Sequence, residues 1–308
     1  MDVWLNGTWL DRHEAKVSVF DAGFQHAVGL FETMVARNGR VFRVRDHLER
    51  LRRSAVELRL TESLHIEPLA EAVQSVIERN ALREARVRLT VTGGDLNLLQ
   101  SSGERSTHEP TILIVAQPPT RYPEDLFTKG VRVMVADGRV NPLDRLAGHK
   151  SLSYWSRLAA LQQAGAVGAS EAVWFSVTNH LASGCVSNIF LVRDGVVLTP
   201  YAHGEEAKSS LPAPVLPGIT RSVMLELIES GLQGQQGEGL DLRAERTMLS
   251  IEDVFAAEEI FLTNSSWGVL PVIAIERTQI GQGTPGPVAA ALRAAWRERV
   301  ERETSALG

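Results

Sequence analysis

The most informative segment of the sequence reads Ala147-Gly148-His149-Lys150-Ser151-Leu152-Ser153-Tyr154. The chain has 32 lysines and arginines, of which four are lysines, at positions 16, 129, 150 and 208. Arginine is thus used wherever a positive charge is sufficient, and arginine cannot lose its proton to become a nucleophilic amine. A desolvated lysine can, and Lys150 lies among small and apolar residues. We expect a chemical role for Lys150, although this segment alone also allows a surface lysine at the start of a helix.

The composition limits the class of protein. With a net charge of -5 and an isoelectric point near 5.9, the chain lacks the basic character typical of nucleic-acid-binding proteins. A single cysteine, Cys185, excludes an intrachain disulfide and a metal site built from several cysteines, and it favours a reducing compartment. The sequence shows no secretory signal and no apolar run near the ~20 residues of a membrane span. We therefore expect a cytoplasmic protein without a metal ion, a nucleic-acid partner or a membrane partner.

The order of apolar runs and turns predicts an α+β fold with two domains. Hairpins are predicted around Asn6-Gly7 and Asn38-Gly39, because Asn-Gly between apolar runs favours tight turns. Closely spaced prolines in residues 117–123 indicate a linker. We predict a smaller α+β domain over residues 1–117, a linker over 118–125 and a larger domain over 126–308.

Apolar periodicity predicts the main helices and strands. Among the predicted helices are residues 46–58, 68–80, 152–163, 219–230 and 287–303. Among the predicted strands are residues 3–5, 9–10, 17–20, 30–35, 41–42, 85–92, 111–116, 131–135, 172–175, 188–192 and 196–199. A polar loop is predicted over residues 93–110.

Three features are suited to binding an anion. In Leu216-Pro217-Gly218-Ile219-Thr220-Arg221 a glycine precedes a predicted helix, whose first amides have no intrahelical acceptor. The apolar run Phe261-Leu262-Thr263-Asn264-Ser265-Ser266-Trp267-Gly268 ends in hydroxyls, and Arg50 adds a cation in His47-Leu48-Glu49-Arg50-Leu51. Taken one at a time, these features are also typical of a helix cap, a turn and a surface arginine.

Together with Lys150, these segments resemble the ordered motifs of the class IV, fold type IV pyridoxal phosphate enzymes. That family includes branched-chain aminotransferases, D-amino acid aminotransferases and aminodeoxychorismate lyases. The resemblance runs from about Val3 to Val272 and implies a two-layer α/β N-terminal domain, a larger α/β pseudo-barrel domain and a homodimer. The further blocks that carry it are Val17-Ser18-Val19-Phe20-Asp21-Ala22-Gly23-Phe24, Gly29-Leu30-Phe31-Glu32 and Ser183-Gly184-Cys185-Val186-Ser187-Asn188-Ile189-Phe190.

The resemblance also implies roles for single residues. Lys150 is expected to form the internal aldimine with pyridoxal 5'-phosphate and then to move the proton between the substrate α-carbon and C4′ of the cofactor. A phosphate dianion is suited to a cation, a helix N-terminus and a hydroxyl. The implied cofactor-binding residues are Arg50, Lys150, Ser183, Asn188, Gly218, Ile219, Thr220 and Ser265.

Ser183 departs from the family pattern. Five residues before the asparagine that Asn188 matches, the family normally has a glutamate, whose carboxylate pairs with the protonated pyridine nitrogen. A serine hydroxyl hydrogen-bonds but supplies no full countercharge. We therefore predict a largely unprotonated nitrogen and a less stabilised quinonoid, and we expect Ser183→Glu to raise the transamination rate. The alternatives are that another acid supplies the charge, or that a shifted alignment places the family's acid at another position.

Three residues are predicted to contact the substrate: His26, Arg139 and Ser266. His26 lies where the family's opening block often has a tyrosine, and Arg139 matches an arginine of the branched-chain type; a structural role is the alternative for both. Ser266 offers a loop amide to a carboxylate. The D-amino acid enzymes place a carboxylate-binding arginine where this chain has Gly93-Gly94, which argues against that subgroup.

The predicted function is transfer of an amino group between an amino acid and a 2-oxo acid, with 2-oxoglutarate or pyruvate as acceptor. The alternative is a lyase that uses the same cofactor and resembles aminodeoxychorismate lyase. Ser183 favours this alternative, because elimination needs less delocalisation of the carbanion. A third hypothesis, a catalytically weak cofactor-binding protein, is disfavoured by the intact lysine and phosphate ligands.

Overall fold

The computed structural model describes residues 1–95, 109–208, 210–233 and 239–305, so most of the polar loop predicted over residues 93–110 lies outside the described residues. The strands, in chain order, are β1 (Asp2–Leu5), β2 (Thr8–Asp11), β3 (Gly29–Arg37), β4 (Arg40–Val41), β5 (Ala85–Thr92), β6 (Ile112–Gln117), β7 (Val131–Val140), β8 (Glu171–Ser176), β9 (Leu181–Gly184), β10 (Asn188–Arg193), β11 (Val196–Pro200), β12 (Leu232–Gln233), β13 (Gly239–Leu240), β14 (Arg243–Thr247), β15 (Glu259–Asn264), β16 (Gly268–Ile275) and β17 (Thr278–Gln279). The helices are α1 (Ala22–His26), α2 (Val44–Glu57), α3 (Ile66–Arg79), α4 (Asp125–Thr128), α5 (Trp155–Ala166), α6 (Ile219–Glu229), α7 (Ile251–Phe255) and α8 (Pro287–Thr304).

The chain forms two compact units. The first is drawn from the described residues of 1–120, 149–153 and 301–308, and the second from those of 121–148 and 154–300. The short segment around Lys150 therefore belongs to the first unit, although the chain on both sides of it belongs to the second. The domain boundaries at residues 117 and 126 stay a prediction.

The first unit is built on an antiparallel sheet with the strand order β2-β1-β6-β5-β3-β4. Every second side chain of β5 from Ala85 to Val91 is buried, because alternate residues of a strand face the same side of a sheet. The amphipathic helices α2 and α3 share one apolar core with these strands. Members of that core include Met34, Leu48, Leu51, Ala55, Val73, Val76, Ile77, Val87, Leu89 and Ile114.

The segment that carries Lys150 pairs with the start of β3. The carbonyl of Lys150 accepts a hydrogen bond from the amide of Phe31 at 2.9 Å, and the amide of Leu152 donates to the carbonyl of Gly29 at 2.9 Å. Ser151 lies opposite Leu30 in an isolated β-bridge. The backbone is thus fixed on both sides of Lys150. This pairing explains why the helix predicted from residue 152 begins at Trp155 instead.

The second unit is built on a mixed sheet with the strand order β14-β11-β10-β15-β16-β7-β8-β9, and β17 pairs with β16. The pairs β11–β14, β16–β7 and β7–β8 are parallel, and the others along this path are antiparallel. Three residues connect β9, at one edge, to β10, which lies well inside the sheet. The sheet must therefore curl back on itself, and the amide of Gly184 donates to the carbonyl of Ser187 at that corner.

The predicted strand over residues 17–20 is wrong. Val19 and Phe20 are each 64% exposed, and the chain turns there, because the amide of Asp21 donates to the carbonyl of Ser18. Asp21 then caps α1 by accepting from the amide of Gly23 at 2.7 Å. An alternating apolar pattern indicates a strand only where a neighbouring strand is present to pair with it.

In the part of the chain that the structure describes, no helix combines the length and the apolar character needed to cross a bilayer.

Candidate active site

Lys150 is half-buried in the first unit and lies beside an aromatic ring. Its Nζ is 4.5 Å from the ring centroid of Phe31, a buried residue of β3. Lys129, by comparison, has a side chain that is 73% exposed and pairs with Asp125. Because β3 holds both its backbone and the ring beside it, Lys150 has the placement expected of a lysine with a chemical role.

Arg50 is held by a carboxylate that the sequence analysis did not assign. Its Nε is 2.9 Å from Oε1 of Glu32 and its Nη2 is 2.5 Å from Oε2, so the pair is bidentate and buried. His47, one turn earlier on α2, has its Nδ1 2.7 Å from the same Oε2. A bidentate ion pair fixes the plane of a guanidinium as well as its position. Glu32 therefore orients Arg50.

The charges of this buried network follow from its contacts. Burial alone would raise the pKa of Glu32, but the positive charge of Arg50 and the hydrogen bond from His47 hold that pKa at about 2. Burial lowers the pKa of His47, and Arg50 and Lys150 act in the same direction, against the opposing effect of Glu32. At neutral pH, His47 is therefore neutral and donates its Nδ1 proton to the ionised Glu32.

Arg88 is a second cation at the ring of Phe31 and was not among the predicted site residues. Its guanidinium carbon lies 3.8 Å from the ring centroid. Arg88 lies on β5 between the buried residues Val87 and Leu89 and is itself half-buried. Strand alternation alone places this arginine on the face opposite the core, so only the structure shows that it contacts the ring beside Lys150.

In the second unit, α6 begins at Ile219, and its first amides are suited to binding an anion. The amide of Ser222 donates to the carbonyl of Gly218, so helix geometry gives the amides of Ile219, Thr220 and Arg221 no intrahelical acceptor. The Arg221 side chain is engaged elsewhere, in a buried ion pair with Glu205. The helix start, rather than the arginine, is the part suited to an anion.

Asn188 fixes the entry into α6. Its Nδ2 donates to the carbonyl of Leu216 at 2.8 Å. Its Oδ1 lies so close to Gly218 that a side chain at Gly218 has no room. Asn188 thus acts on the backbone that leads to Ile219 and Thr220, a positioning contact that the sequence did not specify.

Ser265 and Ser266 lie in the turn between β15 and β16 and are half-buried. The amide of Ser266 donates to Oδ1 of Asn264 at 2.8 Å, so this amide is already engaged within the turn. Asn264 also binds the carbonyl of Val186 through Nδ2. Thr263, at the end of β15, has a buried hydroxyl with no hydrogen-bond partner among the described residues.

Ser183 is buried in β9 and lies next to a cation. Its hydroxyl donates to the carbonyl of Gly184 at 3.0 Å. Arg157 of α5 has its Nη1 3.2 Å from Oγ of Ser183 and 2.8 Å from the same carbonyl. Arg157 was not among the predicted site residues.

The remaining predicted residues are exposed. His26 ends α1 with an exposed side chain. Arg139 is exposed on β7, and its Nη1 donates to the carbonyls of Ala136 and Gly138, in line with the structural alternative. Contacts of His26, Arg139 and Ser266 with a substrate stay a prediction.

Each unit, taken by itself, has donors of the kind that the phosphate of pyridoxal 5'-phosphate requires. A phosphate dianion requires cations and hydrogen-bond donors. The first unit supplies the buried and oriented guanidinium of Arg50. In the second unit the first amides of α6 are suited to the same group, and the role of the Ser265 hydroxyl stays a prediction.

Comparisons with known proteins identify the family of the chain. A family model described as amino-transferase class IV matches residues 29–275. A putative branched-chain-amino-acid aminotransferase of Methanocaldococcus jannaschii is 32% identical over 296 residues, which are 95% of this chain and 94% of the relative.

Two solved structures have the same fold. The branched-chain amino acid aminotransferase of Escherichia coli matches with a TM-score of 0.85 at 26% identity, covering 99% of this chain and 96% of its own. The branched-chain aminotransferase of the thermophilic archaeon Thermoproteus uzoniensis, solved with norvaline, matches with a TM-score of 0.83 at 27% identity, covering 99% and 97%. The predicted fold class is confirmed.

Proposed function

The chain belongs to the class IV aminotransferase family, and from this premise we propose how its residues serve the reaction. The protein is a pyridoxal phosphate-dependent transaminase that moves an amino group between an amino acid and a 2-oxo acid. We propose Lys150 as the residue that binds the cofactor aldehyde and moves the proton at the substrate α-carbon. The observation that carries this is the placement of Lys150, a half-buried residue whose backbone pairs with β3 and whose Nζ lies beside the Phe31 ring.

For the phosphate ligands we propose the residues that the family resemblance implies. Arg50, oriented by Glu32, supplies the cation, the amides of Ile219 and Thr220 supply the helix N-terminus, and Ser265 supplies a hydroxyl. Asn188 and Gly218 set the backbone that presents those amides. When bound, pyridoxal phosphate supplies an electron-withdrawing ring that stabilises negative charge at the substrate α-carbon. The chain itself contributes binding, orientation and proton transfer.

For the donor we propose a branched-chain amino acid. The relative from Methanocaldococcus jannaschii and the structure from Escherichia coli carry that name. The resemblance further supports a homodimer, to be tested by sedimentation equilibrium, and the single buried cysteine supports a cytoplasmic location, to be tested by fractionation.

The assignment of Lys150 is tested by reducing the cofactor-loaded protein with borohydride and mapping the labelled peptide by mass spectrometry. The label is expected on Lys150 and is expected to be absent from Lys150→Arg, which keeps the charge but has no nucleophilic amine. A label on another lysine in the wild-type protein would overturn the assignment.

The reaction is tested with a panel of L- and D-amino acids in the absence of an acceptor. A transaminase converts its cofactor to the pyridoxamine form once, and a branched-chain L-amino acid is expected to do this fastest. Release of pyruvate over many turnovers without an acceptor would instead support the lyase, the candidate that Ser183 favours.

A further inference from the structure

Ser183 stands where the family has a glutamate, so the protonation state of the cofactor's ring nitrogen does not follow from the family pattern. A carboxylate at this position favours a protonated ring nitrogen, and a hydroxyl alone is neutral. The state of the nitrogen then depends on whichever charged group lies closest to the hydroxyl. The contacts of Ser183 within the second unit identify that group.

The charged group is Arg157. Its Nη1 lies 3.2 Å from Oγ of Ser183, 2.8 Å from the carbonyl of Gly184 and 3.5 Å from that of Cys185. Its guanidinium carbon also lies 5.6 Å from the ring centroid of Trp174, which pairs directly with Ser183 across β8 and β9. Residues that pair in this way share a face of the sheet, so Arg157, Trp174 and Ser183 form one cluster.

Glu171, a buried carboxylate that is hydrogen-bonded to this corner, does not take over the role of an acid at Ser183. Its oxygens accept from the amides of Ala172, Cys185 and Val186 and from the hydroxyl of Ser187. A Cβ on Gly184 would lie 2.9 Å from its Oε2, so Glu171 is on the side toward which Gly184 faces. Adjacent strand residues face opposite sides, and Ser183 therefore faces away from this carboxylate.

We propose that Arg157 is a positioning residue that acts through Ser183 and keeps the pyridine nitrogen of bound pyridoxal phosphate unprotonated. The proposal rests on the proposed function, with the ring nitrogen directed toward Ser183. An arginine side chain stays protonated, and therefore cationic, in a folded protein. A fixed positive charge behind the hydroxyl opposes a second positive charge on the nitrogen. The charge nearest to this end of the ring is thus positive, whereas a glutamate at position 183 would make it negative.

The hydrogen bonds of the cluster are compatible with this role. Ser183 has one hydroxyl proton, which it donates to the carbonyl of Gly184. Arg157 donates to the same carbonyl. When the hydroxyl turns toward an unprotonated nitrogen, the carbonyl of Gly184 therefore keeps a donor, and the oxygen of Ser183 still accepts from Arg157. No buried polar group loses its partner in the exchange.

Arg157 also changes what is expected of Ser183→Glu. A carboxylate introduced there lies within reach of Arg157 and forms an ion pair with it, so part of its charge is cancelled. The single substitution therefore protonates the nitrogen less completely than the double variant Ser183→Glu with Arg157→Gln. Contacting charges are expected to be non-additive in such a cycle.

The test is the pH titration of ring-15N-labelled pyridoxal phosphate in the loaded protein, followed by NMR. The wild-type resonance is expected at the unprotonated position across pH 6–8, where Arg157→Gln moves it toward the protonated position and Arg157→Lys leaves it nearly unchanged. Arg193→Gln is the charge-matched control, because Arg193 pairs with Asp253 and not with Ser183. It is expected to titrate as the wild type does.

Two results would overturn the proposal. A protonated nitrogen in the wild type at pH 7 overturns the proposal, and this measurement needs no variant to fold. An Arg157→Gln titration identical to that of the wild type overturns it as well, since the nitrogen is then controlled by another group. Failure of the proposed function is recognised separately, because it appears as the absence of a borohydride label on Lys150.

Discussion

At the scale of the residue, the buried pair of Glu32 and Arg50 is the feature most open to test. Glu32 binds Arg50 through Nε and Nη2. Glu32→Gln removes the negative charge of the Glu32 side chain but keeps its shape. The guanidinium of Arg50 is then still present but is no longer held in its orientation. We expect the affinity for pyridoxal phosphate to fall about 10- to 100-fold, by analogy with the loss of groups that orient metal ligands. Equilibrium titration of the cofactor-free protein by fluorescence measures this.

Arg50→Lys separates charge from geometry at the same place. A lysine keeps the positive charge but cannot form the bidentate contact with Glu32. We expect a loss of cofactor affinity comparable to that of Glu32→Gln. Arg52→Lys is the control, because Arg52 is exposed on α2 and pairs with Glu49. An Arg50→Lys protein that binds the cofactor as tightly as the wild type would show that orientation by Glu32 is unimportant.

At the scale of the element, Gly218 sets the start of α6. A side chain there meets Oδ1 of Asn188, so Gly218→Ala is expected to push the first turn of the helix away from its position. Cofactor affinity should then fall at least 10-fold, because the amides of Ile219 and Thr220 move with the turn. Gly165→Ala is the control. Gly165 lies in α5 with open space where its Cβ would be, so this change should add roughly 0.5–1 kcal/mol of stability and leave binding unchanged.

The elements also show what the sequence could predict. β5 and the body of α2 and α3 follow from apolar periodicity, since each packs one continuous apolar face into the core. The helix after Lys150 was placed three residues too early, because the pairing of residues 150–152 with β3 depends on residues more than a hundred positions away. The strand predicted over 17–20 is wrong because that segment has no partner strand among the described residues. Apolar periodicity does not show whether a partner strand is present.

In the candidate site, too, local segments could be predicted from the sequence, whereas contacts between distant residues could not. Motifs identified Lys150, Arg50 and the start of α6, because those residues belong to short segments with a recognisable order. Glu32 and Arg157 had no such signal for their roles. Glu32 contacts Arg50 from 18 positions away, and Arg157 contacts Ser183 from 26 positions away, so both contacts depend on the fold.

At the scale of the whole molecule, the Glu32 network makes stability depend on pH. The pKa of Glu32 in the folded protein is about 2, below the usual value of 4.5. A carboxyl whose pKa is lowered by folding contributes stability that is complete above its unfolded pKa and is lost as the pH falls through the folded pKa. The contribution is therefore present at pH 7 and declines from about pH 5 toward pH 2.

Urea unfolding of the wild type and of Glu32→Gln across pH 3–7 measures this contribution. At pH 7 the variant is expected to lose about 3–5 kcal/mol, because Arg50 is left buried without its charged partner. The difference between the two proteins should shrink as the pH is lowered from 5 to 3, since Glu32 of the unfolded wild type then becomes protonated. Glu49→Gln, an exposed site on α2, the helix that carries Arg50, is expected to change stability by less than about 1 kcal/mol at every pH. A difference for Glu32→Gln that stays constant over this range would mean that the carboxyl is not held ionised by Arg50 and His47, and the orientation of Arg50 would then need another source.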